Sequence, residues 1–512
     1  MAQLAPDDHI AQMRIATALH KTSAFESAIP YYEAALALSP DNVDCRNAFA
    51  SALIATGRTA EGANILETLR AQNPGDAEIL NNLGVAYMDL NQHEMSIRRL
   101  TQALNLREDW AEPHQNLANA LRRAGRLDQA ETHFQRALSI DPDDFRIHGN
   151  RALLLISDNK PEQAAEAYRH ALTLAPDEPE LRKGLGIAQL MAGDMATGWR
   201  NYESRWDCAE FKRRDFGAKR WRGQPIPGAT LLIHAEQGFG DTLQFSRYIR
   251  LARAQVGASR IVLEAQAPLL RLLECLVEDD CILRARGDAL PSVDFNIPLL
   301  SLPALFDTAL DSIPAETPYL SIPAPLRQDW ATAVDQKTRN QKTRDDDALK
   351  VGFAWAGNPN RQDDVLRSCA YTEFSRLFDH PGTNFFNMQL DAPSGLMAQT
   401  PDIVDLTADI SDFADTAAFI ESMDLIITVD TATAHLAGAL GKPVWVLLGH
   451  AADWRYLMTR TDSPWYPGMR LFRQPKHGDW RAVINSVLNA LGNHEYPEIG
   501  PSPGQVDELD QR

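Results

Sequence analysis

The feature that most constrains the fold is a period of 34 residues, which runs without slippage through the first part of the chain. Frames begin at His9, Val43, Ala77, Ala111, Phe145 and Pro179. A period of this length is typical of stacked helix pairs. The eighth position of every frame is small, as two closely crossing helices require: Ala16, Ala50, Gly84, Ala118, Ala152 and Gly186. The pattern therefore predicts a stack of six helix pairs.

Three further positions of the frame support this prediction. The twentieth position is again small, with Ala28, Gly62, Ser96, Ala130, Ala164 and Gly198. The twenty-fourth is bulky and fills the space between helices, with Tyr32, Leu66, Leu100, Phe134, Tyr168 and Tyr202. The thirty-second is a proline that ends the second helix in four frames, Pro40, Pro74, Pro142 and Pro176, whereas the third frame has Glu108.

On these positions, residues 9–206 resemble the tetratricopeptide repeat family. The resemblance implies a curved solenoid with a concave groove. We expect the groove to bind a protein or peptide partner, and a dimerisation surface or a spacer arm stays open as the alternative. The last frame changes into the aromatic-rich segment Gly198 to Trp206, which we interpret as a capping helix whose aromatic side faces the next domain.

Length and composition limit the remaining possibilities. At 512 residues the chain is too long for one core, and roughly 150 residues per domain suggests about three folding units. The net charge of −19 argues against a nucleic-acid partner, which needs a basic surface. The five scattered cysteines contain no C-x-x-C pair and predict reduced thiols. No apolar run of about eighteen residues is present, so we expect no membrane span and a cytoplasmic protein.

The second half of the chain changes to an alternation of strands and helices. Helical periodicity breaks at 221–228, and apolar strands at 230–235 and 261–264 then flank a helix. This alternation predicts a parallel sheet covered on both sides. We predict a domain boundary at 207–228 and four segments after it: a first lobe at 229–325, a charged linker at 326–349, a second lobe at 350–492 and a disordered tail at 493–512.

A glycine turn follows the first of these strands. Gly238 and Gly240 let the backbone turn sharply and place Asp241 at the start of the next helix. Two roles fit Asp241, namely a helix N-cap and a general base that removes a proton from a hydroxyl nucleophile. Gln237 either supports the turn or lines the cleft. The turn lacks the glycine and lysine patterns of dinucleotide and P-loop motifs, so neither is predicted.

The sequence from Asp424 to Gly449 predicts a strand, a short polar turn, a helix of small residues and a second strand. Asp430 and Thr431 follow the first strand and thus lie at the carboxyl edge of a sheet, where open α/β folds bind ligands. His435 lies in the first helical turns. A helix N-terminus offers unpaired N–H groups and a positive dipole, which suit a diphosphate. We therefore predict an anion site here.

Other candidates lie in loops of the second lobe. Asn358, Arg367 and Ser368 follow a strand that starts at Val351, and a guanidinium matches phosphate oxygens bidentately. The alternative is a surface arginine paired with Asp363 or Asp364. Three consecutive residues, Asp453, Trp454 and Arg455, are predicted to line the cleft, although an aromatic cluster there also fits simple packing. The acidic run 345–347 lies in the linker, and no metal site is predicted.

Two of these motifs carry a second resemblance. The turn with Asp241 and the run from Asp430 to Pro443 are similar to the heptosyltransferase-like glycosyltransferases of family 9, over about residues 229–492. The domain order also resembles that of O-linked N-acetylglucosamine transferases. The resemblance implies a GT-B fold, with two Rossmann-like lobes and the nucleotide sugar held mainly by the second. The repeats and the aromatic segment 454–465 depart from lipopolysaccharide heptosyltransferases, so heptose and a lipid acceptor do not follow.

The resemblance also implies roles for individual residues. Asp241 matches the proposed base, and Asp430, Thr431 and His435 match the donor-diphosphate motif. A cation of the family falls in the loop that matches 361–368 here, which makes Arg367 a candidate.

The complete prediction is an all-α tetratricopeptide solenoid followed by an α/β GT-B fold. We expect a metal-independent, inverting glycosyltransferase of the hexosyl or heptosyl type, whose nucleotide-sugar donor is a substrate and which needs no further cofactor. The alternative is a non-catalytic adaptor, whose repeats bind a partner while the α/β domain only binds nucleotide sugar or is structural.

Overall fold

The computed structural model describes residues 8–496 apart from 210, 212, 258–259, 279, 340–347, 358–363, 394, 397–399 and 401–402. The chain divides into two compact units, Met1–Leu181 and Arg182–Arg512. The division thus falls inside the sixth predicted helix pair rather than at residue 206. Among the described residues, no helix combines the length and the apolar content that crossing a bilayer requires.

The first unit is built from consecutive helix pairs. Its complete helices within the described residues are α1 (His9–Lys21), α2 (Phe25–Leu38), α3 (Val43–Ala55), α4 (Thr59–Gln72), α5 (Ala77–Asp89), α6 (His93–Leu106), α7 (Ala111–Arg123), α8 (Leu127–Ile140), α9 (Phe145–Ser157) and α10 (Pro161–Leu174). Polar side chains cap the first helix of several pairs by accepting a backbone N–H from its first turn. These are Asp8 for α1, Asn42 for α3, Asp76 for α5 and Asp144 for α9. Every first helix begins where the 34-residue frame predicts it.

The small frame positions lie where helices cross. Ala16, Ala50, Ala118 and Ala152 are fully buried. A Cβ on Gly62 would lie 2.7 Å from the carbonyl oxygen of Ala50, so no larger side chain fits without a shift. The bulky positions are buried between the helices, as in Tyr32, Leu66, Leu100, Phe134 and Tyr168. The predicted helical solenoid is therefore confirmed.

The second unit begins inside α11 and contains all the strands of the described residues. Its helices are α11 (Pro179–Met191), α12 (Met195–Tyr202), α13 (Phe239–Phe245), α14 (Tyr248–Val256), α15 (Leu270–Leu273), α16 (Leu302–Leu305), α17 (Ala324–Arg339), α18 (Asp364–Arg367), α19 (Tyr371–Phe374), α20 (Phe413–Glu421), α21 (Ala432–Ala439) and α22 (Trp480–Gly492). The strands of the first lobe are β1 (Lys219–Arg220), β2 (Thr230–His234), β3 (Arg260–Ala265), β4 (Cys281–Ala285) and β5 (Phe295–Pro298). Those of the second lobe are β6 (Leu349–Ala354), β7 (Thr383–Asn387), β8 (Val404–Asp405), β9 (Leu425–Val429), β10 (Val444–Leu448) and β11 (Met469–Arg473).

The strands form two sheets whose ladders are all parallel among the described residues. The first sheet has the order β1-β5-β2-β3-β4, and the second has the order β11-β10-β9-β6-β7-β8. The second order is that of a doubly wound Rossmann sheet. The order in which the chain adds strands reverses between β6 and β9, and in the first sheet between β2 and β5. Ligands bind at the carboxyl ends of strands beside such switch points.

Strands β9 and β10 are almost entirely apolar because they form the core of the second lobe. Both faces of the sheet are covered, so β9 and β10 are buried at every residue. Val351, Phe353, Leu425 and Ile427 form a cluster with residues of α22 such as Val487. The fold class predicted for this half, with parallel sheets in two α/β lobes, is confirmed.

The predicted charged linker differs from the structure in its first part. The segment 326–349 starts inside α17, a helix with Trp330, Val334 and Thr338 buried on one face. Trp330 stacks on Phe419 of α20, with ring centroids 5.2 Å apart. These buried positions recur four residues apart, a pattern that the density of charges obscured. Residues 340–347, including the acidic run, and the tail from 497 onwards lie outside the described residues.

Candidate functional site

Asp241 lies at the carboxyl end of β2, beside the switch point of the first sheet. It is the third residue of α13, and its Oδ2 accepts the backbone N–H of Gly238 at 2.9 Å. The other oxygen, Oδ1, forms an ion pair with Nη2 of Arg455, and the Asp241 side chain is 18% exposed. The N-cap residue is therefore Gly238 and not Asp241, which instead caps from the third position by accepting the N–H of Gly238, and a second contact joins Asp241 to the other lobe.

Gly240 brings the two lobes into close contact. A Cβ at this position would lie 2.9 Å from Cδ2 of His435 and 3.7 Å from Cα of Ala432. Only a residue without a side chain allows α13 to approach α21 so closely. The glycine turn of the first lobe and the polar motif of the second thus face each other.

Asp430 and Thr431 lie where the sequence predicts them, directly after β9. Asp430 Oδ1 accepts the hydroxyl of Tyr456 at 2.8 Å, and Oδ2 lies 3.7 Å from Nη1 of Arg367. Thr431 is the N-cap residue of α21, and its Oγ1 lies 3.2 Å from Oγ1 of Thr428. No side chain of the described residues caps this helix. The N–H of Ala434 donates to the carbonyl oxygen of Thr431 at 3.1 Å, which leaves those of Ala432 and Thr433 for an anion.

His435 is buried in α21 and carries no charge at neutral pH. Its Nδ1 lies 3.0 Å from the hydroxyl oxygen of Tyr466, and the residue is 5% exposed. Burial, with a smaller contribution from the positive charge of Arg455, lowers the pKa of His435 to about 3. The imidazole therefore acts as a neutral hydrogen-bonding group.

The loop after β6 brings Arg367 towards Asp430. Arg367 Nε lies 3.5 Å from Asp364 Oδ1, so this arginine lies near both the predicted surface partner and the donor motif. Ser368 donates its hydroxyl to Asp364 Oδ2 at 2.8 Å and accepts the N–H of Gly357 at 2.9 Å. Ser368 thus holds the loop together. Arg367 Nε is buried without a hydrogen-bond partner among the described residues, and Asn358 lies outside them.

Arg455 is the centre of the polar contacts between the lobes. It is positioned by the short helical turn Trp454–Tyr456, whose N-cap Asp453 accepts the N–H of Arg455 at 3.0 Å. Arg455 Nη1 donates to Asp453 Oδ1 at 2.8 Å, and Nε donates to Gln244 Oε1 at 2.6 Å. Burial alone would lower the pKa of Arg455, but the charges of Asp453 and Asp241 outweigh it and raise the pKa.

Two predicted cleft residues have other surroundings. Trp454 is buried in an aromatic cluster, with ring centroids 5.0 Å from Trp199 and 6.2 Å from Trp465. It therefore contributes packing, the alternative considered for this segment. Gln237 Nε2 donates to the hydroxyl of Tyr202 at 3.1 Å, which supports the turn. The contact between Trp199 of α12 and Trp454 confirms that the aromatic side of the sixth repeat faces the α/β domain.

The sequence reasoning missed several residues that complete the site. Gln244 lies three residues after Asp241 on the same helix face, a spacing that could have indicated it. Tyr456 and Tyr466 come from the aromatic loops after β10, where nothing in the sequence distinguishes them from packing residues. Glu236 forms a buried ion pair with Arg205 at 2.8 Å, and burial raises its pKa to about 7 although Arg205 opposes this.

Comparison with known proteins agrees with this architecture. Families described as tetratricopeptide repeat match residues 19–83, 77–109, 116–179 and 150–197. The family described as glycosyltransferase family 9 (heptosyltransferase) matches residues 397–457, which include Asp430, Thr431 and His435 but not Asp241.

Proteins similar to this chain include a curated relative and solved structures of repeat proteins. Protein FlbA of Caulobacter vibrioides is 28% identical over 515 aligned residues, covering 93% of this chain and 83% of that protein. A thermophilic repeat protein of Thermus thermophilus has 22% identity and a TM-score of 0.34, covering 36% of this chain and all of its own. A tetratricopeptide repeat protein of Parabacteroides merdae has 20% identity and a TM-score of 0.35, covering 39% of this chain and 78% of its own. The chain therefore joins tetratricopeptide repeats, within residues 19–197, to a glycosyltransferase family 9 segment near its C-terminus.

Proposed function

We propose that this protein transfers a sugar from a nucleotide-sugar donor to a hydroxyl group of an acceptor, without a metal ion and with inversion at the anomeric carbon. The observation that carries the proposal is the opposition of two motifs. Asp241 and the Asp430–His435 segment follow strands at the switch points of two parallel sheets, and Gly240 packs against His435. A two-lobed transferase needs this arrangement, because donor and acceptor must meet between the lobes.

In this proposal the donor diphosphate binds at the start of α21. The helix is uncapped by side chains, and Thr431 to Thr433 are partly exposed. Arg367, 23% exposed and only 3.7 Å from Asp430, supplies a cation at the same edge of the sheet. His435 contributes as a neutral hydrogen-bonding group. Fixed dipoles and cations of this kind stabilise a leaving group as its negative charge develops.

Asp241 is the proposed base. Its carboxylate accepts the proton of the acceptor hydroxyl while that oxygen forms a bond to the anomeric carbon and the bond to the diphosphate breaks. One direct displacement of this kind inverts the configuration. The carboxylate is held by the N–H of Gly238 and is partly exposed, so a group in the cleft can reach it.

The repeats are proposed to recruit a protein or peptide partner. Side-chain amides link the first helices of consecutive pairs: Asn82 donates to Asn47 and Asn116 donates to Asn81, each at 3.0 Å. Amides have more donor and acceptor sites than these contacts use. Half-buried amides such as Asn47, Asn82 and Asn116 therefore offer hydrogen bonds to an extended backbone.

The decisive experiment compares Asp241→Asn with a matched control. The control, Asp479→Asn, changes an aspartate of the same unit that caps α22 by accepting the N–H of Ala482. Each protein is first tested by thermal shift against UDP, GDP, CDP, ADP and dTDP, because a ligand that binds only the folded form raises the melting temperature. Transfer of labelled sugar from the corresponding nucleotide sugars to protein acceptors and to water is then followed.

We expect Asp241→Asn to bind the nucleotide and to lose transfer by roughly 100-fold or more, the range of general-base catalysis. Asp479→Asn should retain both. Unchanged transfer in Asp241→Asn would exclude Asp241 as the base. If the unmodified protein binds a nucleotide but transfers no sugar, the adaptor alternative is favoured. If none of the nucleotides changes its melting temperature, the proposed donor site is wrong.

A further inference from the structure

Arg455 is a single buried cation shared by two carboxylates. Asp241 and Asp453 both pair with it, and its side chain is 10% exposed. The guanidinium also lies over the Trp454 ring, with Cζ 4.3 Å from the ring centroid. One buried guanidinium is therefore divided between two carboxylates.

The position of Arg455 connects both halves of the proposed site. Through Asp241 and Gln244 it contacts α13 of the first lobe. Its charge also acts on His435 in α21, at the proposed diphosphate site. The guanidinium thus contacts the proposed base directly and acts electrostatically on the helix of the proposed leaving-group site.

A second buried arginine, Arg247, does not connect the base to the leaving-group position in this way, because its N–H groups donate to neutral groups around the site. It donates to the carbonyl oxygen of Trp465 at 2.7 Å and to that of Pro314 at 3.1 Å, and its Nη2 reaches the hydroxyl of Tyr319 at 3.1 Å. Arg247 joins neutral groups, so no charge is released when it moves. Arg455, by contrast, holds a carboxylate that the proposed reaction needs.

We propose that Arg455 couples donor binding to the base, by exchanging its contact with Asp241 for one with the donor diphosphate. Without donor, Nη2 of Arg455 occupies Oδ1 of Asp241. A bound diphosphate attracts the same guanidinium, which keeps Asp453 as its anchor, and Oδ1 then turns to the acceptor hydroxyl. Donor must therefore bind before the acceptor reacts. This inference rests on the proposed function and assigns Arg455 as a positioning residue within it.

The exchange makes a thermodynamic prediction that does not depend on catalysis. If Arg455 must leave Asp241 to bind a diphosphate, the Asp241 carboxylate competes with the ligand. Removal of that carboxylate should tighten nucleotide binding, and only while Arg455 is present. A coupling between sites is typically worth roughly 5-fold or more in affinity.

The experiment measures the affinity for the best-binding nucleoside diphosphate of the five named above, by calorimetry on the full chain. We expect Asp241→Asn to bind roughly 5-fold or more tighter than the unmodified protein. In an Arg455→Gln background the same substitution should change affinity by less than about twofold. Asp479→Asn, the control used above, removes a carboxylate of the same unit that accepts the N–H of Ala482, and it should stay within about twofold of the unmodified protein.

Each outcome decides between explanations. Unchanged or weaker binding by Asp241→Asn overturns the coupling while the donor site stands. Equal tightening in the Arg455→Gln background, or by Asp479→Asn, would show an effect of net charge alone and also overturns it. Should Arg455→Gln fail to fold, Arg455→Lys takes its place, because a lysine keeps the charge but not the forked contacts with Asp241 and Asp453, and Asp241→Asn should then tighten binding less than in the unmodified protein. Failure of the unmodified protein to bind any of the five nucleotides counts against the proposed function itself.

Discussion

The contact between Gly240 and His435 gives the sharpest test of the site, because a single methyl group disrupts it. In Gly240→Ala the new Cβ would lie 2.9 Å from Cδ2 of His435 and 3.6 Å from its Nε2. Carbon atoms pack best at about 3.5–4.0 Å, so a gap of roughly half an ångström or more must open. The ring cannot swing away easily, because His435 is 5% exposed and bound to Tyr466.

The expected cost follows from two opposing effects. Overpacking of a close contact destabilises by about 1–3 kcal/mol. Alanine is a better helix residue than glycine by at most about 1 kcal/mol, and Gly240 lies in the first turn of α13, where the gain is smaller. A net loss of about 1–2 kcal/mol remains. The second unit has about 330 residues, so at about 2.1 cal/mol/K per residue its melting temperature should fall by about 1–3 °C.

Function should suffer more than stability. A displacement near 1 Å between the groups of an active site can reduce activity by roughly 100-fold. The matched control is Gly238→Ala, two residues earlier, where a Cβ meets only the Asp241 carboxylate at 3.3 Å and the backbone conformation suits alanine. Differential scanning calorimetry and nucleotide affinity should separate the two variants. If Gly240→Ala behaves like Gly238→Ala in both, the lobes do not meet at His435 and the proposed site is wrong.

Three further predictions concern buried groups. His435 binds a proton near pH 6.5 in the unfolded chain but only near pH 3 in the folded one, so between these values each pH unit of acidification should lower the free energy of unfolding by about 1.4 kcal/mol more in the unmodified protein than in His435→Gln. Urea titrations at several pH values measure this, and equal slopes for the two proteins would contradict it. The pKa of Glu236 is about 7 in the folded chain and 4.5 in the unfolded one, so the free energy of unfolding should fall as the pH rises between these values. The fall should be absent in Glu236→Gln, and the same pH profile for both proteins would refute the effect of burial. In the first unit, Gly62→Ala should destabilise by about 1–3 kcal/mol because its Cβ meets the Ala50 carbonyl, whereas Gly75→Ala, with open space around it, serves as the neutral control.

Local patterns of the sequence were sufficient for the repeats. Each helix pair contacts only its neighbours, so the small residues at Ala16 or Ala50 report packing that recurs one frame later. The same holds for the strand that ends at Asp430, since a fully apolar strand followed by polar residues marks the carboxyl edge of a covered sheet. These features depend on a few adjacent residues, and a period or a switch in polarity is enough to reveal them.

Composition misled the prediction where charge and burial coincide in one helix. The surface of α17 is charged enough to resemble a linker, yet Trp330 stacks on Phe419 and donates its indole N–H to Asp415 at 3.3 Å. An average over a segment hides one buried face. The periodicity of Trp330, Val334 and Thr338, four residues apart, is the signal that a count of charges discards.

The role of Asp241 shows why residue types alone could not define the site. A carboxylate at the start of a helix fits both capping and general-base chemistry, and in the structure it accepts the N–H of the N-cap residue Gly238 and forms an ion pair with Arg455, 214 residues away. Nothing local to either residue indicates that pairing, because Arg455 has a nearer partner in Asp453. In the proposed reaction this distant pair decides when the Asp241 carboxylate is available. A carboxylate that only capped α13 would gain nothing from sharing a buried cation with the second lobe, whereas the proposed base, whose use waits for the donor, does.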